Sequence, residues 1–370
     1  MYYYLLKRKL PGKADRNRVI DNLLALKRQL NRDIPTKDAE QNLLLATWNI
    51  RDLGKSGDRR GFGPRQPESH FYIAEVLSRF DLVAVQEVND LTEWEIVMDI
   101  LGPGWDYIAT DVTDPKLGGN GERMTFAFDK RKVWFKNIAG EIVLPMDMLI
   151  SNVEVPGEEK LYAGKQFRRT PFLTRFQSGW LRFDVCTVHL YYGAESGAKL
   201  QERIEEIGQI AGYLSSRADE ALAENRGLIL LGDFNIVHPE HKTMKALLDA
   251  GFVVPEVLRK PTNISATDYY DQIAFKVKPE VIEYVEHSTA GAGPNGGVFE
   301  SFESVYTEGQ FEHFKDDVQK SPNGSGLVGD AALRKYYMRE WRTYQLSDHK
   351  PMWVRLKTNE SEAYLKHLKG

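Results

Sequence analysis

The sequence predicts an α/β fold of stacked sheets with helices outside. Three features carry that prediction. Short, mostly apolar runs recur from residue 43 onward and end in polar residues; segments with helical spacing lie between them; and apolar residues are 42% of the 370, which suffices for a large core.

Residues 1–40 stand before this pattern. Val19, Ile20, Leu23, Leu24 and Leu30 recur at helical spacing among charged residues, so an amphipathic helix is expected there, with Lys27 interrupting its apolar face and the main domain as its packing surface. Buried strands are expected at 43–48, 82–86, 124–128, 181–190, 228–231, 271–275 and 352–356. Ile73, Val76, Leu77 and Phe80 mark one intervening helix, and Leu200, Ile204, Ile207, Ala211 and Leu214 mark another. Residues 277–341 break the alternation: 291–297 and 321–326 are rich in Gly, Pro and Asn, while 306–314 and 333–341 are aromatic. The expected organisation is an N-terminal helical extension (1–40), a catalytic domain (41–358) carrying an insertion at about 277–341 with no second core, and a C-terminal tail (359–370). The extension and the insertion are expected to bear on substrate or partner choice more than on chemistry.

The net charge of −4 excludes the diffuse basic surface of a non-specific nucleic-acid binder, so a polyanion would be gripped by a local patch or a metal. With one cysteine no internal disulfide is possible; Cys186 reads as a small buried hydrophobe in a strand, compatible with a reducing compartment. The N-terminal apolar stretch is too short for a signal peptide and its charges follow it. No uncharged apolar run approaches the roughly 20 residues that span a bilayer. A soluble cytoplasmic protein without stable membrane association is expected, and the sequence carries no signal for oligomeric state.

Chemistry is carried by the polar residues that bound the apolar runs. Asn49 closes the first, Glu87 the second, His189 the 181–190 run, and Asp233 and Asn235 the 228–231 run; Asp271 opens 271–275, and Asp348 and His349 stand just before the last strand. Each alone is ordinary turn chemistry. Strand ends in a layered sheet converge on one edge, however, where loops can host a site. Amides, carboxylates and imidazoles gathered there suit a hard cation such as Mg²⁺, which takes oxygen ligands and neutralises phosphate oxygens. The imidazoles would move protons near neutral pH.

From about residue 43 to 356, the Asn49, Gln86-Glu87, Gly232-Asp-Phe-Asn235 and Ser347-Asp-His349 motifs resemble, in kind and order, those of the endonuclease/exonuclease/phosphatase superfamily. The resemblance implies a four-layered αββα sandwich, two packed mixed sheets flanked by helices, with the site at one edge and Mg²⁺ as cofactor, Mn²⁺ substituting. It is strongest to the pancreatic-type deoxyribonucleases, whose first motif resembles Trp48-Asn-Ile-Arg-Asp-Leu-Gly54. Their Glu-Arg pair before a strand resembles Glu122-Arg123, their Arg-x-Pro element Arg169-Thr-Pro171, and their Tyr-Asp-Arg-Ile Tyr270-Asp-Gln-Ile273. Two His–carboxylate pairs are implied, His189 with Glu122 and His349 with Asp271, each carboxylate fixing its imidazole's tautomer. Glu87 is the implied principal metal ligand, with Asn49 and Asp348 beside it. Asp233 and Asn235 are implied to orient the attacking water or a phosphate oxygen, or to serve a second metal. His189 and His349 flank the phosphate as acid, base or hydrogen-bond donor. Arg169 contacts phosphate or makes a salt bridge. Three departures stand against duplex DNA and abasic-site repair. Asn89 and Asn120 occupy the places of the Arg and Tyr that pancreatic-type enzymes push into the minor groove, their disulfides cannot form, and Arg51 stands where abasic-site nucleases carry Asp.

Three functional classes are compatible with these residues. A nuclease cleaving DNA or RNA phosphodiesters by in-line water attack is favoured by the paired histidines and by Arg169. Trp94, Trp105, Tyr191 and Tyr192 are potential base-stacking rings, and Lys55, Arg59, Arg60 and Arg65 form a basic loop beside the first motif. Core packing and a solvated loop are the plain alternatives. A phosphatase or phosphodiesterase acting on a small molecule or phospholipid head group is the second reading, in keeping with the mild negative charge. A non-catalytic binding module is third, disfavoured because every expected site residue is present.

Overall fold

The computed structural model describes residues 1–55, 60–112, 121–149, 166–276 and 294–369. Helices α1 (Leu5–Lys9) and α2 (Lys13–Asp33) precede β1 (Asn42–Leu53). Then come α3 (Pro67–Ser78), β2 (Leu82–Val88), α4 (Leu91–Leu101), β3 (Trp105–Ala109), β4 (Arg123–Asp129), β5 (Trp134–Glu141), β6 (Phe172–Ser178) and β7 (Leu181–His189). The chain continues through α5 (Gly197–Ala223), β8 (Gly227–Asp233), α6 (Lys242–Asp249), β9 (Asp271–Lys276), β10 (Gly296–Val298), α7 (Phe311–Lys320), α8 (Asp330–Tyr336), α9 (Arg342–Gln345), β11 (Met352–Lys357) and α10 (Ser361–Leu368). Among the described residues, one sheet runs β10-β11-β1-β2-β4-β3 and the other β5-β6-β7-β8-β9. The β1–β2 and β7–β8 pairs are parallel, so both sheets are mixed.

Side-chain alternation separates the layers. Leu43, Leu45, Leu82, Ala84, Met124 and Phe126 join the core shared with the second sheet, whereas Leu44, Ala46, Trp48, Val83, Val85 and Ala127 join the core under the helices. Strands covered on both faces read as continuous apolar runs, which is why these were visible in the sequence. Between the sheets Phe126 and Phe176 meet edge-on with ring centroids 5.7 Å apart. On the far side α5 packs on β8 through a buried face that includes Ile207, Ile210 and Leu214. The layers are therefore αββα.

Helix α2 departs from its expected face. Val19, Leu23 and Leu30 are buried, but Ile20 and Leu24 are exposed and Leu26 is fully buried. The buried face accepts polar Asn22 and Gln29 because each is hydrogen-bonded: Asn22 Nδ2 donates to Tyr72 Oη at 2.9 Å, and Gln29 Nε2 to the Glu300 carbonyl at 2.7 Å. Lys27 extends its amine to Tyr3 Oη at 3.0 Å. Residues 299–346 contribute Phe302, Tyr306, Phe314, Tyr337 and Trp341 to the same core as α2, α3 and the helix-side face of the first sheet, and β10 extends that sheet from β11. Residues 277–293 of the expected insertion, Arg59 and Asn120 lie outside the described residues.

Several elements escaped the sequence reading. β6 alternates buried and half-buried residues along Phe172–Ser178, a period-two signal that was there to read. α4 carries both its caps: Asp90 accepts from the Thr92 N–H at 2.7 Å, and Gly102 follows the helix at φ 89°. β5, an edge strand with exposed Trp134 and Ile138, has no buried face from which to be recognised. No helix among the described residues is long and apolar enough to cross a membrane.

Candidate active site

Topology brings the polar strand ends together. β7 and β8 run parallel with His189 opposite Asp233, and antiparallel β9 begins with Asp271 opposite the same Asp233. In the other sheet Asn49 lies opposite Gln86, one residue before Glu87, and the register then shifts between Asn49 and Leu53. The two edges are tied across the sandwich: Asn49 Nδ2 donates to Glu87 Oε1 at 2.9 Å and to Asp233 Oδ2 at 3.0 Å.

Asp233 Oδ2 is the hub. His189 Nε2 lies 3.5 Å from it and His349 Nε2 3.7 Å from it, while Asp233 Oδ1 accepts from the Asn235 N–H at 2.9 Å. Each imidazole has a carboxylate behind it. Glu122 Oε1 is 2.6 Å from His189 Nδ1, and Asp271 Oδ2 is hydrogen-bonded to His349 Nδ1 at 2.8 Å. Two groups each offer three ligand atoms within 4.8 Å of one another: Glu87, Glu122 and His189, and Asp233, Asp271 and His349.

The surroundings set the charges. Burial lowers the His189 pKa, and Arg169 lowers it further, to about 4. Arg169 Nε sits 2.6 Å from the same Glu122 oxygen that faces His189, so one carboxylate oxygen lies between the two side chains. Burial would also lower His349, but the Asp271 and Asp233 carboxylates outweigh it and hold that imidazole well above its ordinary value. Glu87 is pushed up by burial, with His189 opposing and Glu122, Asp52 and Asp348 adding repulsion. Arg51, Asp52, Glu87 and Asn235 all have left-handed backbones, with φ of 51°, 52°, 62° and 54°. Each costs on the order of 1 kcal/mol, so surrounding contacts must fix them. Glu87 Oε2 accepts from the Asp52 N–H at 2.9 Å, closing the β1 bulge onto β2.

The remaining expected residues sit around this centre. Asn235 donates its amide to the Leu190 carbonyl at 2.8 Å. Asp348 is at the rim, 3.5 Å from Arg51 Nε. The Tyr191 ring is covered by the Arg168 guanidinium, 4.0 Å from its centroid. Of the other rings, Trp94 and Trp105 are buried in the helix-side core and are not free to stack. In the basic loop Arg65 is buried, donating to the Arg51 carbonyl at 2.8 Å and the Gln345 carbonyl at 3.0 Å, while Lys55 and Arg60 both reach Asp52 at 3.1 Å. Asn89 donates to the Gly121 carbonyl at 3.1 Å. Ser347 was given no role from sequence. Its hydroxyl donates to the Asn49 carbonyl at 2.5 Å and accepts from the His349 N–H at 2.9 Å, joining the first and last motifs.

No family model matches the chain. Over 236 residues it is 28% identical to a deoxyribonuclease of Thioalkalivibrio sp. (strain K90mix), a match covering 61% of this chain and 55% of that protein. The chain thus spans about half the length of the curated relative it matches. In its motifs and its layered fold, the chain resembles the endonuclease/exonuclease/phosphatase superfamily. Solved structures similar to it include an endonuclease/exonuclease/phosphatase family protein from Bacteroides thetaiotaomicron, with TM-score 0.48 and 17% identity over 86% of this chain and 98% of that one. The human Nocturnin catalytic domain with bound sulfate is another, with TM-score 0.47 and 14% identity over 85% of this chain and 94% of that one.

Proposed function

We propose that this chain is a divalent-metal-dependent phosphoesterase that hydrolyses nucleic-acid phosphodiester bonds by in-line attack of water. One observation carries the reading: Asn49, Glu87 and Asp233 meet between two imidazoles that each have a carboxylate behind Nδ1. The deoxyribonuclease relative supports nucleic acid as the substrate class.

The donor set fits a hard cation. Half-buried Glu87 has its pKa raised first by desolvation and then by repulsion from Glu122, Asp52 and Asp348, a repulsion a bound Mg²⁺ would relieve. Glu87 is the proposed principal ligand, with Asn49 and Asp348 beside it. When bound, the ion neutralises phosphate oxygens and positions the phosphorus. The chain's own groups do the rest. Asp233, held by Asn49 and by the Asn235 N–H, orients the attacking water. Neutral His189, its Nδ1 toward Glu122, presents Nε2 as a hydrogen-bond acceptor to that water. Protonated His349, backed by Asp271, presents Nε2–H to the phosphate or its leaving oxygen. Arg169 and Tyr191 are the proposed substrate contacts, Arg169 from its place beside Glu122 behind His189.

The test is one panel of plasmid DNA, single-stranded DNA, RNA, a sphingolipid and an inositol phosphate, run with Mg²⁺, with EDTA, and with Mn²⁺ after EDTA. An identically prepared His349→Ala protein serves as the contamination control. DNA or RNA cleavage that EDTA stops and either metal restores is expected. Turnover of the lipid or inositol phosphate alone would replace the substrate class, and activity undiminished by chelator would remove the metal.

A further inference from the structure

Behind the site, α5 carries two fully buried charges one turn apart, Arg203 at 0% and Glu206 at 2% exposure. Arg203 has no carboxylate partner among the described ion pairs. Its Nη1 donates to the Asn235 carbonyl at 2.8 Å, its Nη2 to the Ala194 carbonyl at 3.0 Å, and its guanidinium carbon lies 4.8 Å from the Tyr192 ring centroid. Glu206 Oε2 accepts from the Tyr191 N–H at 3.0 Å, and the Arg168 N–H also stabilises its carboxylate. We propose that Arg203 and Glu206 are positioning residues that hold three site loops in register, those after β7, after β8 and before β6; the kinetic part of this rests on the hydrolase reading above.

A merely space-filling position at this depth would be served better by Leu or Met, because a buried guanidinium loses its hydration and must be repaid by fixed acceptors. Here the acceptors belong to two different loops. Ala194 follows His189 by five residues and Asn235 follows Asp233 by two, so the planar fork sets the spacing between the loops that carry them. The left-handed Asn235 is held at three points: its N–H by Asp233, its side-chain Nδ2 by the Leu190 carbonyl, its own carbonyl by Arg203. Glu206 works on the opposite flank. It binds the backbone of Tyr191 and of Arg168, the neighbour of Arg169, whose Nε lies against Glu122 behind His189. Arg203 therefore acts through Asp233 and Asn235, and Glu206 through Tyr191 and Arg169.

The two act on different kinetic constants. Arg203→Met should lower kcat by roughly 10-fold or more with KM within about 2-fold, and Arg203→Lys, which keeps a donor, should recover part of the loss. Glu206→Ala should raise KM by roughly 5-fold with a smaller change in kcat, and Glu206→Gln, which keeps an acceptor oxygen, should stay within about 2-fold of the parent. Amide exchange gives a readout independent of turnover: in Arg203→Met, residues 190–196 and 234–236 should exchange roughly 10-fold faster while the strands keep their protection. Unchanged exchange and kinetics in folded Arg203→Met would overturn the proposal, as would a loss matched by the unfolded fraction alone. Should Arg203→Met fail to fold, Arg203→Lys is read by the same criteria. If the parent protein cleaves no diester, the function proposed above fails while the exchange comparison still decides the role of Arg203.

Discussion

The two imidazoles of the site each have a carboxylate at Nδ1, yet their pKa values are displaced in opposite directions. The difference lies in their neighbours. Burial, and then the Arg169 charge, lower the His189 pKa to about 4, whereas the Asp271 and Asp233 carboxylates outweigh burial at His349 and raise it well above its ordinary value. A raised pKa means that the charged form, and the stability it brings, is fully present below the unfolded value of about 6.5 and is lost as pH rises through the folded value. Asp271→Asn should therefore move the alkaline limb of kcat/KM to lower pH and reduce neutral-pH turnover by roughly 10-fold or more. A pH–rate profile measures it, and an unmoved alkaline limb would separate Asp271 from His349. At this scale the sequence was legible wherever a chemistry-bearing residue bounded an apolar run. Arg203 and Glu206 were not legible, because Gln-Glu-Arg-Ile-Glu-Glu along α5 reads like a solvated helix face. Only the loops folded over it turn those charges inward.

Elements were legible in proportion to how thoroughly they are covered. β1, β2, β4, β7 and β8 are buried on both faces and announced themselves; β3 and β5, at sheet edges, did not. What fixes the end of β4 is electrostatic. Burial would raise the pKa of Asp129, but Arg131 at 2.6 Å and Lys37 at 3.2 Å pull it down to about 2. A depressed carboxylate contributes stability that is present above its unfolded pKa of about 3.9 and is lost as pH falls through the folded value. Arg131 is largely exposed, so solvent screening trims the effect. Asp129→Asn should cost about 1–2 kcal/mol at pH 7, and the gap should close between about pH 4 and pH 2. Urea unfolding at pH 7, 5 and 3 reads it; a gap independent of pH would mean that shape, not charge, fixes this strand end. For α2 the issue is packing. Leu26, fully buried, should cost roughly 2–4 kcal/mol when cut to Ala, whereas exposed Leu24→Ala should stay within about 0.5 kcal/mol. Equal losses in thermal or urea unfolding would restore the face expected from sequence.

For the whole molecule, the four layers share two cores, and the outer one is built from distant parts of the chain. α2, α3, the helix-side face of the first sheet and the aromatic residues of 299–346 bury one another. From sequence, 277–341 reads as an accessory whose loss would alter substrate preference more than chemistry. Phe302, Tyr306, Phe314 and Trp341 argue otherwise, since removing them strips a core. Excision of 277–341 should yield protein without a cooperative unfolding transition; a folded, active product would contradict this packing. Composition and motif order revealed the layered class and the site, while the mutual dependence of the ends and the middle became visible only in three dimensions. The central claim is that Asn49, Glu87, Asp233 and both histidines form a single hydrolytic centre, with Asp233 Oδ2 within 3.7 Å of both imidazoles. Its most direct test is the turnover of Asp233→Asn, with Mg²⁺, on whichever substrate the parent protein cleaves. Loss of roughly 100-fold or more in kcat with unchanged thermal unfolding is expected, and turnover equal to the parent's would contradict the account.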